Sequence, residues 1–376
     1  MNTDFRKRKQ PIESIEEKIE GTIEEVPIIE ETKGKQDVRK VEPKFLIVDG
    51  SSLLSTSFYA TARDLLFAKT DEQKEIAYTK LMQTKDGVYT NGVYMFFKIL
   101  LPLLEKYNIS HLAVVLDRTR NTFRREIDPE YKATRSETPE PLKCQFKLLT
   151  EILADINIPV FSQMEYEADD FAGSLAKKFE KEIPIYLHTK DGDYLQLASE
   201  HTKVWMVTGK ADTMYEEIGI NRKELDIPNG IFEYTPHYVK HFEGVDPIQI
   251  IDIKAIEGDK SDNIKGVKGV GPTSSRPLVA HYGTVESIYE ALEGLDAKGE
   301  KELALFFKES LGVKRSPIKN LVTYKEDAII SKKLATIKTD IEEIQELKLD
   351  SLVLNIDKGK MNKRFKELEI NSLIKK

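Results

Sequence analysis

Three short apolar runs, each followed closely by acidic residues, constrain the fold of this 376-residue chain more than any other feature. The runs cover residues 45–48, 112–116 and 183–188. Continuous apolar runs of this length are typical of strands buried on both faces of a parallel sheet. Amphipathic helical patterns lie between them, for example over residues 93–104 and 142–156. The alternation predicts an α/β fold with a doubly wound, mostly parallel sheet flanked by helices.

Acidic residues are concentrated where such a sheet binds ligands, at the carboxyl ends of its strands. Asp49 and Asp117 directly follow two of the runs, and the pair Asp191/Asp193 follows the third. Each acid taken singly could be a turn residue or a helix cap, but their joint placement favours one common site. The nine candidates are Asp49, Asp117, Glu167, Asp169, Asp170, Asp191, Asp193, Asp259 and Asp262.

This set of acids predicts a divalent metal site. Clustered carboxylates repel one another and raise each other's pKa, and a hard cation relieves that repulsion. Ligands that are all oxygen suit Mg²⁺ or Mn²⁺ better than zinc. Nine acids exceed the needs of one ion, so we expect two ions about 4 Å apart, an arrangement used for phosphodiester displacement.

Two basic segments accompany the acids. Residues 118–135 hold six bases and three acids, with aromatic residues interleaved. Such side chains suit the phosphates and bases of a nucleic-acid strand, although a solvated, salt-bridged helix is the alternative. The candidate DNA contacts in this segment are Arg120, Tyr131 and Arg135.

Residues 263–283 form the second segment and contain no acid. Glycines permit a tight turn there, and the helix that follows would offer backbone N–H groups to a phosphate. A glycine-rich turn without a ligand is the alternative, but the neighbouring bases favour phosphate binding. The candidate DNA contacts are Lys265, Gly266, Lys268, Gly269, Gly271 and Arg276.

Net charge at first argues against a nucleic-acid partner, because 57 Lys and Arg face 64 Asp and Glu. Outside residues 1–43 and the nine candidate ligands, however, the chain has 48 Lys and Arg and 44 Asp and Glu, so the remainder is mildly basic.

Residues 1–43 are charged and poor in aromatic residues, which predicts a disordered extension or a partner-binding tail. The one cysteine, Cys144, excludes a disulfide framework, fits a cytoplasmic location and is expected in the core. No apolar run approaches the ~18 residues of a membrane span, so we expect no membrane partner.

Five blocks of this sequence resemble the 5′-nuclease (flap endonuclease) family, which includes the 5′→3′ exonuclease domain of bacterial DNA polymerase I and free-standing phage nucleases. The resemblance begins near Phe45 and extends to the C-terminus. The blocks occur in the family's order and at its spacing, which makes the match specific. They cover residues 47–51, 115–135, 166–170, 189–197 and 258–271.

The resemblance implies an architecture and residue roles. A metal-dependent core with a helical arch would span residues 44–245, and a helical DNA-binding subdomain with a helix-hairpin-helix would span residues 246–376. Arg124 and Lys132 would act in catalysis by contacting the scissile phosphate. The first metal would bind Asp49, Asp117, Glu167 and Asp169, and the second would involve Asp170, Asp191, Asp193, Asp259 and Asp262.

The resemblance also implies the function, a structure-specific 5′→3′ exonuclease and flap endonuclease. It would use two Mg²⁺ ions, with Mn²⁺ as a substitute and K⁺ at the hairpin, and would act as a monomer on DNA with 5′ flaps, nicks or ends. RNA–DNA primers are a further expected substrate. The alternatives are an RNase H-like nuclease that removes primers, a toxin-type ribonuclease and a DNA-structure-binding protein without turnover. Two departures stand out: Thr273 replaces the usual hairpin lysine, and Pro277 falls near the start of the following helix.

Overall fold

Six strands form a single sheet in the order β3-β2-β1-β4-β5-β6 in the computed structural model, which describes residues 42–374. Five strands run parallel, and the last pairs antiparallel with β5. The strands are β1 (Lys44–Asp49), β2 (Ile109–Val115), β3 (Val160–Phe161), β4 (Ile185–Thr189), β5 (Thr202–Val207) and β6 (Ile231–Tyr234). The three apolar runs are therefore the three central strands, as predicted.

The central strands are buried on both faces, which explains their continuous apolar sequence. Along β1, Phe45 and Ile47 point into one core, and Leu46 and Val48 point into the other. The core of Leu46 and Val48 is covered mainly by α1 (Gly50–Thr61), α4 (Asn91–Lys106), α6 (Glu140–Asp155) and α17 (Lys358–Glu367). Between these helices in chain order are the shorter α2 (Arg63–Phe67), α3 (Asp71–Thr79) and α5 (Phe123–Ile127).

The other face of the sheet packs against most of the remaining helices. A single buried core includes Phe171 of α7, Leu278 of α11 and Phe307 of α13 together with strand residues. The expected boundary after residue 245 therefore does not separate two hydrophobic cores. These helices are α7 (Ala168–Phe179), α8 (Ala211–Glu217), α9 (Pro236–Glu243), α10 (Ile250–Glu257), α11 (Pro272–Tyr282), α12 (Val285–Leu292), α13 (Ala297–Glu309), α14 (Ile318–Thr323), α15 (Lys325–Ala335) and α16 (Glu342–Gln345).

The expected helix-hairpin-helix corresponds to α10, a glycine-rich loop and α11. Gly266 has φ 61° and Gly269 has φ 79°, values that favour glycine. A side chain at residue 266 would also bring its Cβ into collision with the backbone nitrogen of Gly258. The expectation for Pro277 needs correction, because this proline lies well inside α11 and the helix continues to Tyr282.

Three further expectations concern the N-terminal extension, the cysteine and membrane spans. The extension predicted over residues 1–43 lies outside the described residues, apart from positions 42 and 43. Cys144 was expected in the core, but its side chain is exposed on α6 with its sulfur 3.7 Å from Glu140 Oε1. None of the helices in the described part of the chain has the length and apolar character of a membrane span.

Candidate active site

Five of the nine predicted acids line one cleft of about 470 Å³, which we call the acidic cleft. Because β1 lies between β2 and β4, the acids that follow these strands meet at one edge of the sheet. Three bases, Lys132, Arg135 and Lys190, also line the cleft. Its five acids are Asp49, Asp117, Glu167, Asp169 and Asp191.

Local hydrogen bonds fix the orientation of the cleft acids. Asp49 caps α1, since its Oδ1 accepts a hydrogen bond of 2.9 Å from the Ser52 amide. Its Oδ2 accepts one of 2.7 Å from Thr189 Oγ1 on the neighbouring strand. Asp117 Oδ1 accepts a hydrogen bond of 2.9 Å from the amide of Ala168, the first residue of α7. Asp49 is thereby held by α1 and β4, and Asp117 is held by the start of α7.

The cleft acids carry more negative charge than their surroundings neutralise. Burial raises the pKa of Asp49 to about 7, and the neighbouring carboxylates of Asp117 and Asp191 add to this. Burial and the adjacent Asp170 likewise raise the pKa of Asp169 well above its usual range. The Oδ1 atom of Asp169 is buried and accepts no hydrogen bond from any described residue. A bound cation would relieve this arrangement, so the donor set fits hard divalent ions.

Lys132 connects the cleft acids to the glycine-hairpin segment. Its Nζ lies 2.6 Å from Glu167 Oε2 and 3.7 Å from Asp262 Oδ2. Its backbone adopts φ 54°, and its amide donates to the Asp262 carbonyl at 2.8 Å. The Tyr131 hydroxyl also lies 3.1 Å from Glu167 and 3.3 Å from Asp262. Lys132 therefore lies on the wall of the acidic cleft, and its contact with a phosphate stays a prediction.

Two of the other predicted ligands, Asp193 and Asp259, form a second group around a lysine. Lys254 contacts Asp193, and its Nζ lies 2.7 Å from Asp259 Oδ2. Although burial opposes it, hydrogen bonds from Lys254 and Ser261 hold the pKa of Asp259 down at about 2. Asp262 is bound by Arg135 in the same region. Within residues 42–374, no three Asp, Glu, His or Cys side chains form a ready-made metal cage, and protein cations stand between the acids instead.

Arg124 takes a different place from the one expected. Its side chain is only 1% exposed, and it does not line the acidic cleft. Nη1 and Nη2 donate to Asp170 at 2.7 and 2.8 Å, Nη2 also donates to the Thr336 carbonyl, and Nε donates to the Leu334 carbonyl. Asp170 is itself fully buried, so it neutralises Arg124 and lies away from the cleft. In this structure the pair supports the start of α7, and Nη1 of Arg124 also lies 3.7 Å from Glu167 Oε2 and 4.0 Å from Asp169 Oδ1.

Some of the predicted DNA contacts are exposed, and others are already bound to groups of the protein itself. Tyr131 is 2% exposed and covers Glu167, so it offers no face on which a base could stack. Arg276 pairs with Glu243 at 2.8 Å, and Arg120 binds the Arg135 carbonyl at 3.1 Å. The side chain of Lys265 is 57% exposed and lies 3.4 Å from Asp128. Lys268 and Gly269 are exposed at the tip of the hairpin, Gly271 caps α11, and Gly266 is buried.

Sequence reasoning missed three residues of the site. Lys254 precedes Asp259 by five positions on a helix, in no recognisable motif. Thr189, which holds Asp49, and Lys190, which lines the cleft, lie in a block that was noted only for its acids. For Thr189, the last residue of β4, and Lys190, the next residue, their position at the carboxyl end of the strand was the one signal that could have identified them.

Two family models and a curated relative match this chain. The family model described as "5'-3' exonuclease, N-terminal resolvase-like domain" matches residues 44–224, and the one described as "5'-3' exonuclease, C-terminal SAM fold" matches residues 245–360. A "5'-3' exonuclease" of Halalkalibacterium halodurans is 35% identical over 315 residues, which cover 83% of this chain and 89% of that protein. The chain belongs to the 5′-3′ exonuclease family, and it is a nuclease.

Other relatives place this chain beside one part of a larger protein. DNA polymerase I of Bacillus caldotenax is 34% identical over 338 residues, which cover 89% of this chain but only 32% of the polymerase. The chain thus spans about a third of the DNA polymerase I relatives that it matches.

Solved structures show the same fold at lower identity. The 5′-exonuclease of bacteriophage T5 with bound zinc ions has a TM-score of 0.52 and 20% identity, covering 88% of this chain and 99% of that one. The catalytic core of Rad2 in complex with DNA substrate has a TM-score of 0.50 and 16% identity, covering 87% of this chain and 88% of that one. Both likenesses concern the fold.

Proposed function

We propose that this protein hydrolyses phosphodiester bonds of DNA near 5′ ends, including 5′ flaps, and that it depends on Mg²⁺. The observation that carries the proposal is the acidic cleft, where five carboxylates meet at the carboxyl edge of the sheet beside three bases. An all-carboxylate donor set is what Mg²⁺ and Mn²⁺ prefer. A structure of bacteriophage T5 flap endonuclease with a similar fold is described as a complex with DNA and metal ions, which supports the same assignment.

The residues of the acidic cleft have separable roles in this proposal. Asp49, Asp117, Glu167, Asp169 and Asp191 would hold the divalent ions, which supply an activated water and neutralise charge on the departing oxygen. Ser52 and Thr189 keep the Asp49 carboxylate oriented toward the cleft through their hydrogen bonds.

The bases on the cleft wall would bind the phosphate. Lys132 and Arg135 place an ammonium and a guanidinium beside the carboxylates, where they offset negative charge on the scissile group. Attack of water on phosphorus, opposite the 3′-oxygen, would form a new phosphorus–oxygen bond and break the bond to the 3′-oxygen. The water would lose a proton and the 3′-oxygen would gain one, which leaves 5′-phosphate and 3′-hydroxyl ends. This requires no participation of Arg124, whose guanidinium is already occupied by Asp170.

The hairpin between α10 and α11 would bind the duplex part of the substrate. Lys268 and Gly269 are exposed at its tip, and α11 begins after Gly271 without a side-chain cap, which would leave amides at its start for a phosphate. Pro272 and Thr273 are also exposed, and neither replaces the missing lysine. We therefore propose that backbone groups supply more of the duplex contact here than a lysine side chain does.

The test is cleavage of a 5′-labelled flap substrate with Mg²⁺ and with EDTA. We expect cleavage only with the metal, and products that carry 5′-phosphate ends. A parallel RNA-primed substrate decides whether RNA is also cut, and size-exclusion chromatography with light scattering tests the expected monomer. Binding to the flap in fresh Mg²⁺ or Mn²⁺ without any cleavage would contradict the proposal. Cytoplasmic location and K⁺ at the hairpin stay predictions.

A further inference from the structure

A third basic segment, residues 310–325, runs from the end of α13 to the start of α15 and contains no acid. Its four bases, Lys314, Arg315, Lys319 and Lys325, are all exposed. The first three pair with no acid among residues 42–374. Exposed bases without acidic partners give a surface a positive potential, and here they do so in a chain whose net charge is −7.

The hairpin between α10 and α11, by contrast, has most of its own bases paired. Arg276 lies 2.8 Å from Glu243, and Lys265 lies 3.4 Å from Asp128. Of the Lys and Arg side chains in residues 263–283, only Lys268 pairs with no acid of the described chain. A duplex that met the hairpin alone would therefore find one unpaired base there.

A hydrogen bond joins the third basic segment to the tip of the hairpin. Asn320 Nδ2 donates to the Lys268 carbonyl at 2.9 Å, and the same amide lies directly beside Gly269. Lys319 is the neighbour of Asn320 in α14, and Arg315 precedes Asn320 by five positions, which span at most about 18 Å. Phosphates follow one another about every 3.4 Å along each strand of a duplex, so one duplex that lies on the hairpin can meet these bases as well.

The α14 end of this segment is held in place by the core. Ile318 is 5% exposed and Leu321 is fully buried, and both belong to the core that also contains Leu278 of α11. The bases next to them are therefore presented from a packed helix beside the hairpin.

We propose that Lys314, Arg315 and Lys319 bind phosphates of the double-stranded part of the substrate, and that they supply the charge that Thr273 does not. The inference rests on the proposed function, since it names residues that bind the duplex of that substrate. Lysine and arginine contact phosphates without reading bases, so this binding would not depend on sequence. The place of the segment against the hairpin, outside the acidic cleft, favours a duplex over a single strand.

The test measures duplex affinity against salt concentration with the full chain in EDTA, so that no cleavage occurs. Fluorescence anisotropy of a labelled duplex with a 5′ flap gives the dissociation constant at each KCl concentration. In the triple variant Lys314→Gln/Arg315→Gln/Lys319→Gln, we expect affinity at low salt to fall about tenfold or more. The slope of log affinity against log salt should become shallower by about 2 to 3, because each lost phosphate contact removes about 0.9. Each single change should remove about 0.9 by itself, so the result does not depend on the triple variant.

The matched control removes the same charge from the other face of the sheet. Lys358→Gln/Lys363→Gln/Lys366→Gln changes three exposed lysines of α17, whose buried side chains belong to the other core. This variant should keep the wild-type slope.

Three results would each overturn the inference: an unchanged slope in the Lys314, Arg315 and Lys319 variants, an equal change of slope in the α17 variant, or an equal loss of affinity for single-stranded DNA of the same length. Failure of the proposed function would look different, because the wild-type protein would then show no Mg²⁺-dependent cleavage of the flap substrate.

Discussion

Replacing Arg124 with methionine tests whether this residue supports the site or acts on the substrate. The change removes four hydrogen bonds, two of them to Asp170, and leaves a fully buried carboxylate without its counter-charge. Breaking a buried ion pair in this way costs about 3–5 kcal/mol. The backbone amides of Glu167 and Lys338 still donate to Asp170, so we expect a loss of about 3 kcal/mol.

Urea unfolding followed by tryptophan fluorescence measures this loss directly. The chain has a single tryptophan, Trp205, which is fully buried and so reports on the core. Arg125→Met is the matched control, because Arg125 is only partly buried and should cost less than about 1 kcal/mol. Combining Arg124→Met with Asp170→Asn should cost less than the two single changes added together.

The opposite pattern would refute the positioning role. If Arg124→Met unfolds within about 1 kcal/mol of the wild-type protein but loses nuclease activity, the guanidinium acts on the phosphate, as the family resemblance implied. Under the structural interpretation, stability falls first, and any loss of activity follows from displacement of Glu167 at the start of α7.

Three further changes test other parts of the account. In EDTA, folded Asp49 holds a proton that the unfolded chain releases between pH 3.8 and about 7, so its contribution to the free energy of unfolding falls as pH rises. The difference in urea stability between wild-type protein and Asp49→Asn should follow this trend, with a slope of at most about 1.4 kcal/mol per pH unit, and a rise with pH would contradict it. Lys254→Met should increase Mn²⁺ binding measured by electron paramagnetic resonance, because Asp193 and Asp259 lose their protein cation. The control is Lys332→Met, which removes a lysine from Asp252 and Glu286 elsewhere and should not increase Mn²⁺ binding. Equal effects of the two changes would argue against a cation role for Lys254. Gly266→Ala should destabilise the protein by about 2 kcal/mol or more, because φ is 61° and the new Cβ would clash with the backbone of Gly258. Gly271→Ala is the control and should cost little, because there is open space around Gly271. Similar unfolding midpoints for both variants would show that the hairpin tolerates a side chain at residue 266.

The sequence was informative for site residues that directly follow a strand, because the order of the strands alone decides which of these residues lie close together. The apolar runs predicted β1, β2 and β4, and the neighbouring positions of these strands bring Asp49, Asp117 and Asp191 together. Strand β3, with two residues, and strand β5, with polar residues among apolar ones, carry too weak a pattern to be found this way.

The roles of the bases could not be predicted from the sequence, because they depend on distant packing. Arg124 and Arg125 are adjacent and chemically identical, yet only Arg124 meets carbonyls of residues 334 and 336, more than two hundred positions away. Tyr131 looks like a stacking residue in a basic segment, but its hydroxyl is held by two buried acids. Lys254 contacts Asp193 and Asp259 because α10 packs beside the site, which the sequence does not indicate.

The most direct test of the acidic cleft is Mg²⁺-dependent cleavage of a 5′-flap substrate by Asp169→Asn and Asp191→Asn variants. Metal-ion catalysis contributes several kcal/mol, so each change should lower the rate by roughly a hundredfold or more while DNA binding stays measurable. Glu165→Gln is the control, because this nearby acid is exposed and does not line the cleft. Full activity in either aspartate variant would contradict the assignment of these carboxylates to the metal-dependent site.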